Sequence, residues 1–305
     1  MAKYLGKRLL QSVIAIFGVS LVVFLVLNVA GDPVDLMLPP TASLAEIEAL
    51  KEKLGYNDPL LIQYWRFLKN AVTGDFGLSY NYRQPALQVV MERVPATVTL
   101  AMSAFAVAVI VSIPAGIIAA VKRNSIPDTI IRSLALLGQC VPAFWLGIMM
   151  MLLFAVRLKW LPTSGFKTWG SLIMPSLTCG LFSAATFTRI LRSNMIEVMS
   201  KEYIDTARSK GLSEWIVIMK HGFKNAFSSL LTVMGLQIAA LLGGAVITET
   251  VFAWPGMGRL LVQSINNSDF NVVEVCVLLI ATSFVVINFI VDILYCVINP
   301  RIKLQ

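Results

Sequence analysis

The chain has 305 residues, of which 57% are hydrophobic and 14% charged, with a formal net charge of +8 and a mean hydropathy of +0.77. Soluble domains carry about 25% charged residues, so a water-soluble globular fold is excluded. The apolar residues are gathered into runs of about 20, a length that suits a bilayer and excludes disorder and a secreted disulfide scaffold.

At the N-terminus Lys3, Lys7 and Arg8 precede an apolar stretch from Leu9 to about Ala30. It is longer than the roughly 7–15 residues of a signal-peptide core, and Val29-Ala30-Gly31 makes a poor cleavage site, so a retained first helix is predicted. A hydrocarbon core of about 30 Å needs about 20 helical residues. The runs that meet this are 9–30, 95–121, 130–156, 171–191, 229–252 and 272–298. The fold class is all-α, a polytopic membrane protein of six spans. Pro142, just after Gln139, predicts a kink in the third span. Pro175 and Gly180 blur the bounds of the fourth, and Gly235, Gly243 and Gly244 predict close helix packing in the fifth.

Six spans place both termini on one side. The termini and connections on that side hold fifteen Lys and Arg against four (Arg157, Lys159, Lys167, Arg259) in the short connections on the other. The remaining six lie in the 31–94 segment, which has eight acids and is too long for the rule to apply; this predicts cytoplasmic termini. Anionic lipid and membrane orientation account for the net charge, and nucleic acid is not implied. Residues 31–94 form the one soluble-looking outer segment. Within it Ser43 and Glu46 have the spacing of a capping box, Ile47, Leu50 and Leu54 repeat at helical spacing, and Gly55 supplies the stop. A second amphipathic stretch, 59–72, carries Tyr64, Trp65 and Phe67, residues suited to a membrane interface.

The connection from Arg192 to Asn225 is far longer than two helices need to turn around. Met195, Met199, Tyr203, Ile204 and Ala207 predict one apolar helix side. Gly211 predicts a left-handed stop, with Arg208 and Lys210 in the preceding turn. Ser213 and Glu214 then open a second helix through Trp215, Ile216 and Met219. Such a pair is either an amphipathic hairpin resting on lipid or a knob that docks into a soluble protein. Its mixed acids and bases favour docking over the basic face of a lipid-bound helix, and Ala207 beside Gly211 would admit another backbone.

Polar groups inside spans turn inward as a rule. Gln139, Gln237, Asn288 and Asp292 are the clearest, with Thr232, Thr282 and Ser283 weaker. Each either lines a pathway or bonds helix to helix, and Asp292, near the inner end, is expected to pair with a Lys or Arg. Glu249, Phe252, Trp254, Pro255, Gly256, Gly258 and Arg259 form a turn at the outer mouth: a plain re-entrant turn anchored by Trp254, or a gate or docking loop. Cys140, Cys179, Cys276 and Cys296 lie in spans without metal or disulfide spacing, and His221 has no second ligand nearby, so no metal site and no catalytic set is predicted.

Asp205-Thr206-Ala207-Arg208-Ser209-Lys210-Gly211-Leu212-Ser213-Glu214, followed by His221-Gly222-Phe223-Lys224-Asn225-Ala226, resembles the EAA loop of permease subunits of bacterial ATP-binding-cassette (ABC) importers, most nearly the dipeptide, oligopeptide and nickel permease family. Thr206 departs from the central Ala of the wider motif, and Ser228-Ser229 stand where Leu-Pro is common. Gly31-Asp32-Pro33, Leu54-Gly55-Tyr56-Asn57-Asp58-Pro59-Leu60, Gly74-Asp75-Phe76-Gly77-Leu78-Ser79-Tyr80, Pro95-Ala96-Thr97, Leu161-Pro162-Thr163-Ser164-Gly165, the 249–259 turn and Asn299-Pro300-Arg301-Ile302 are similar to family landmarks along nearly the whole chain.

The resemblance implies a type I ABC importer permease fold in the bacterial inner membrane, organised as residues 1–94 (first helix and extracytoplasmic segment), 95–299 (permease domain) and 300–305 (cytoplasmic tail). It implies a second, homologous permease subunit, two ABC ATPases, an extracytoplasmic solute-binding protein and surrounding lipid as partners. Asp205, Thr206, Ala207, Arg208, Gly211, Leu212 and Glu214 would be the coupling helix region. The chain has no GxxxxGK[ST] phosphate loop, so no cofactor is expected in it, and ATP and Mg would belong to the partner ATPases. Di- or oligopeptides are the expected cargo, with nickel or a metal chelate as the alternative. A secondary transporter would more often show an ion-coupling midplane carboxylate or two related halves, a channel would not need the 192–225 helix pair, and an intramembrane enzyme would need a nucleophile–base set.

Overall fold

The computed structural model describes residues 2–30 and 43–298. The landmarks at Gly31–Pro33 and Asn299–Ile302 and the 300–305 tail lie outside the described residues. All regular structure among the described residues is helical, save an isolated antiparallel bridge between Leu78 and Pro85. Five helices are long and apolar enough to cross a membrane, or six when a sharply bent pair is taken as one span.

The first span is α1, Ala2–Ala30. Two short helices follow. In α2, Leu44–Leu54, the Ser43 side chain accepts from the Glu46 backbone N–H, the Glu46 carboxylate accepts from the Ser43 N–H at 2.8 Å, and Gly55 ends the helix at φ 76°. The amphipathic α3, Leu60–Thr73, packs against α1: the Tyr64 and Ser20 hydroxyls lie 2.9 Å apart, and the Phe24 ring meets Tyr64 and Phe67 at centroid distances of 5.3 and 5.6 Å. Trp65 points away and is 72% exposed.

After α4, Ala86–Met91, the second span is α5, Val94–Val121. It packs on α8, Gly170–Met199, at close range: a Cβ on Gly180 would lie 2.6 Å from the Ala104 carbonyl. The main core joins these two helices to α11, Lys224–Gly244, around Ala108, Phe187, Leu191, Met195, Leu230 and Met234. The last span, α14, Phe270–Ile298, packs on α11 where Gly235 leaves room for Val291.

The kink expected at Pro142 is present and sharper than a bent helix, and two further elements depart from the sequence expectation. The third span is a helix α6, Ile126–Cys140, and a helix α7, Ala143–Met150, bent at 102°, with α7 running on as a π-helical stretch to Arg157. Pro142 has no N–H to give, and it pushes Val141 into extended conformation, observed at ψ 122°. The fourth span continues to Met199 and stops at Ser200, so Met195 and Met199 belong to α8 while Tyr203, Ile204 and Ala207 belong to a separate α9, Glu202–Ser209. The fifth begins far earlier than residue 229: α10, Glu214–Ile216, a π-helical stretch Val217–Phe223 and α11 follow without a gap. It ends at Gly244, and α12, Val246–Val251, is a separate turn of helix before α13, Met257–Asn266.

Candidate coupling corner and translocation path

α9 lies flat against the π-helical start of the fifth span. Ile204, Ala207 and Val217 are buried together with Met199 beside them, and this apolar contact fixes the corner. Ala207 is therefore taken up inside the chain, so it gives α9 close approach to its own neighbour and is not open to another protein. Gly211 makes the turn at φ 75°, with open space around its Cα, a conformation in which an L side chain is strained. Arg208 ties the two arms: its Nε and Nη2 donate to the Glu214 carboxylate at 3.2 and 2.7 Å, and Asp205 lies 3.5 Å from Nη1. The Glu214 hydrogen bond holds the Arg208 guanidinium above its ordinary pKa. Asp205, Thr206, Gly211, Leu212 and Glu214 are exposed, and so are Tyr203 (42%) and Trp215 (69%). A polar, charge-paired corner thus carries two aromatic side chains outward.

Behind the corner, α8 is tied to α6 at two heights. Asp128, 0% exposed, accepts from Arg192 Nε and Nη2 at 2.7 and 2.8 Å and from the Asn124 N–H at 2.9 Å, with Arg132 3.4 Å away. Nearer the bend, Gln139 donates through Nε2 to Thr186 Oγ1 at 3.0 Å and accepts from Arg189 Nη1. Gln237 donates to Ser183 Oγ at 3.0 Å. Both glutamine amides thus bond helix to helix in this structure. Asn288 Oδ1 and Thr232 Oγ1 are enclosed without a hydrogen-bond partner among the described residues. Asp292 forms the expected ion pair, at 3.3 Å from Arg8 of α1. Asp128, Arg192 and Arg189 were not singled out from the sequence, because their partners lie 50 or 64 residues away; an aspartate directly after a helix-opening Pro127 was the available signal.

At the opposite end the 249–259 turn is folded around the Glu249 carboxylate. Thr97 Oγ1 donates to it at 2.7 Å and the Arg259 N–H at 2.9 Å, Thr97 Oγ1 accepts from the Met257 N–H at 2.8 Å, and a Cβ on Gly256 would collide with the carboxylate. Trp254 donates from Nε1 to the Ala96 carbonyl at 2.9 Å and lies against Phe166 at 4.4 Å. Glu249, Phe252, Trp254, Gly256 and Gly258 are buried, and Pro255 and Arg259 are half-buried. The turn is anchored by Trp254, and only its rim could touch a visiting protein in this conformation. Next to it Asp269 accepts from Ser79 Oγ at 2.5 Å and from the Asn81 N–H at 3.3 Å, which ties the outer segment to the start of α14. Burial pushes the neighbouring Tyr80 hydroxyl up to about 12.

Residues 112–304 match the family described as "Binding-protein-dependent transport system inner membrane component", and residues 1–101 match "Binding-prot-dependent transport system membrane comp, N-term". The chain is 43% identical over 304 residues, 99% of either chain, to the glutathione transport system permease protein GsiC of Escherichia coli (strain K12) and to that of Shigella dysenteriae serotype 1. A chain of the inward-facing MetNI methionine ABC transporter superposes with a TM-score of 0.56 at 18% identity, over 70% of this chain and 97% of that one. A chain of an amino acid ABC transporter solved with histidines gives 0.50 at 14%, over 70% and 94%. These two likenesses show the shared fold.

Proposed function

Because the chain belongs to the family of binding-protein-dependent transport system inner membrane components, and is a permease subunit of an ABC importer, we propose that it forms half of an import pathway for short peptides. A paralogous permease forms the other half, both termini face the cytoplasm, and residues 43–94 face outward to the solute-binding protein. The chain carries no cofactor; ATP and Mg act on two partner ATPases. The α9–Gly211 corner is the knob that enters a groove on the ATPase, and closure of the ATPases moves α8 and the fifth span as rigid bodies. The observation that carries this is the corner itself: exposed Tyr203, Leu212 and Trp215 stand on a turn braced by Arg208–Glu214, apolar surface on a charge-paired corner of the kind a protein partner covers. A short peptide is the cargo favoured by the 43% identity to permeases named for glutathione, a tripeptide.

The test is Gly211→Val in the reconstituted importer. A β-branched residue at φ 75° strains the turn by roughly 1–3 kcal/mol, enough for about a tenfold fall in uptake per ATP hydrolysed, at an unchanged amount of protein in the membrane. Uptake per ATP equal to wild type would remove the docking assignment. Supplying glutathione, dipeptides and chelated nickel in parallel decides the cargo, and uptake of the chelate alone would overturn the peptide assignment.

A further inference from the structure

We propose that Arg189 is a cargo-binding residue that receives a carboxylate of the peptide at the bend between α6 and α7, an inference that rests on the peptide-importer function above. Arg189 lies inside α8, ten residues before its end at Met199 and nineteen after its start at Gly170, which at 1.5 Å per residue puts it about 29 Å from the outer end, at the inner boundary of the span. It is exposed. At that boundary its guanidinium can reach water, protein or an anion.

Its surroundings show what it is prepared for. Arg192, one turn further on, is held by Asp128 through two hydrogen bonds, and Arg8 is paired with Asp292. Arg189 has no carboxylate within 4.0 Å among the described residues and one hydrogen bond, from Nη1 to Gln139 Oε1. Gln139 cannot turn its amide around without losing that bond, because its Nε2 donates to Thr186 Oγ1 at 3.0 Å, which in turn donates to the Phe182 carbonyl at 3.3 Å. The relay fixes the guanidinium by one edge and leaves its other N–H groups unmatched. A planar fork with free donors, anchored from behind, fits a carboxylate in two-point fashion, and every peptide with a free C-terminus supplies one. The bend places this group where the wall is discontinuous, beside Cys140, which is exposed, and Val141 in extended conformation.

The experiment uses the complete importer in proteoliposomes, with the binding protein saturated in turn by glutathione or a dipeptide and by the C-terminal amide of the same peptide. Turnover per loaded binding protein then reports on the membrane steps. The wild type is expected to move the acid about tenfold faster than the amide, the discrimination one charge-assisted contact provides. In Arg189→Gln the ratio falls to near one, and Arg189→Lys is intermediate. Gln139→Leu, which keeps the charge and removes the anchor, lowers the ratio as well. A ratio in Arg189→Gln equal to wild type overturns the proposal. So does a defect that tracks the anionic lipid content, which would make Arg189 a headgroup contact, or loss of the partner permease on purification, which would make it an interface residue. Failure of the wild type to move any peptide would instead remove the peptide-importer function, and a wild type indifferent to acid and amide would remove only the role of Arg189.

Discussion

The Asp128–Arg192 pair joins two spans through two charge-assisted hydrogen bonds, and replacing Asp128 with Asn tests whether it fastens α6 to α8. The substitution keeps the shape and turns one acceptor oxygen into a donor group. That donor then faces either Arg192 or the Asn124 N–H, which now supply hydrogen bonds at 2.7, 2.8 and 2.9 Å. Losing one partner of a fully buried pair costs about 3–5 kcal/mol. Here the Arg192 side chain keeps 19% exposure and can be hydrated, so the loss should be about 2–4 kcal/mol, one to two charge-assisted hydrogen bonds. The converse change, Arg192→Gln, leaves the carboxylate, 0% exposed, with only Asn124 and the more distant Arg132, and it should cost more. In the double variant a neutral amide faces a neutral amide, so it should melt above Arg192→Gln alone. Thermal unfolding of the purified complex in detergent reads all three. Midpoint losses that simply add in the double variant would mean that the two residues do not act as a pair.

Trp254→Ala should destabilise the outer turn by about 3–5 kcal/mol, as truncation of a buried aromatic does, whereas Trp254→Phe should lose only about 1 kcal/mol with the bond to Ala96; protease cleavage within 249–259 would separate the two. Ser43→Ala should cost α2 about 1 kcal/mol, seen as faster amide exchange across Leu44–Leu54. Hydrogen bonds from Ser43, first from its backbone and then from its side chain, lower the pKa of Glu46 below 4.5. Its contribution is thus complete above that value and lost as the pH falls through the lowered one. Protection of the α2 amides, taken relative to the intrinsic exchange rate at each pH, should fall in acid in the wild type and stay flat in Glu46→Gln.

Features governed by local chemistry were legible in the sequence. Apolar runs must be about as long as the bilayer is thick, so the spans stood out. The Ser43–Glu46 box and the left-handed Gly211 follow from residue type at fixed spacing. What was hidden depends on contacts distant in the chain. Pro142 announces a break, but the angle of 102° is set by where α7 finds support, and Gly147 rests on the Phe252 ring, more than a hundred residues later. The stripe Met195, Met199, Tyr203, Ile204 and Ala207 continued past the real end of α8, because periodicity cannot reveal a stop that carries neither Gly nor Pro. Ala207, small and next to a turn, suggested room for a partner, yet Val217 and Ile204 fill that room from within.

The two ties between α6 and α8 bear on how a push at the corner could reach the cargo. Packed helices move as bodies and yield at their breaks. α8 is held to α6 at Asp128–Arg192 and again at Gln139–Thr186, so these two helices form one lever with α9 at its foot. Above the second tie the chain breaks at Val141–Pro142, and α7 rests on Phe252 in the turn anchored by Trp254 as well as on α8, where Thr178 Oγ1 donates to Met150 Sδ at 3.5 Å. Displacement of α9 would therefore reach the bend through α6 and the outer turn through α8 and α7. Arg189 projects from the lever side of the bend. A carboxylate bound to it would be carried with α8, so a stroke that moves α8 would move the same group that holds the peptide.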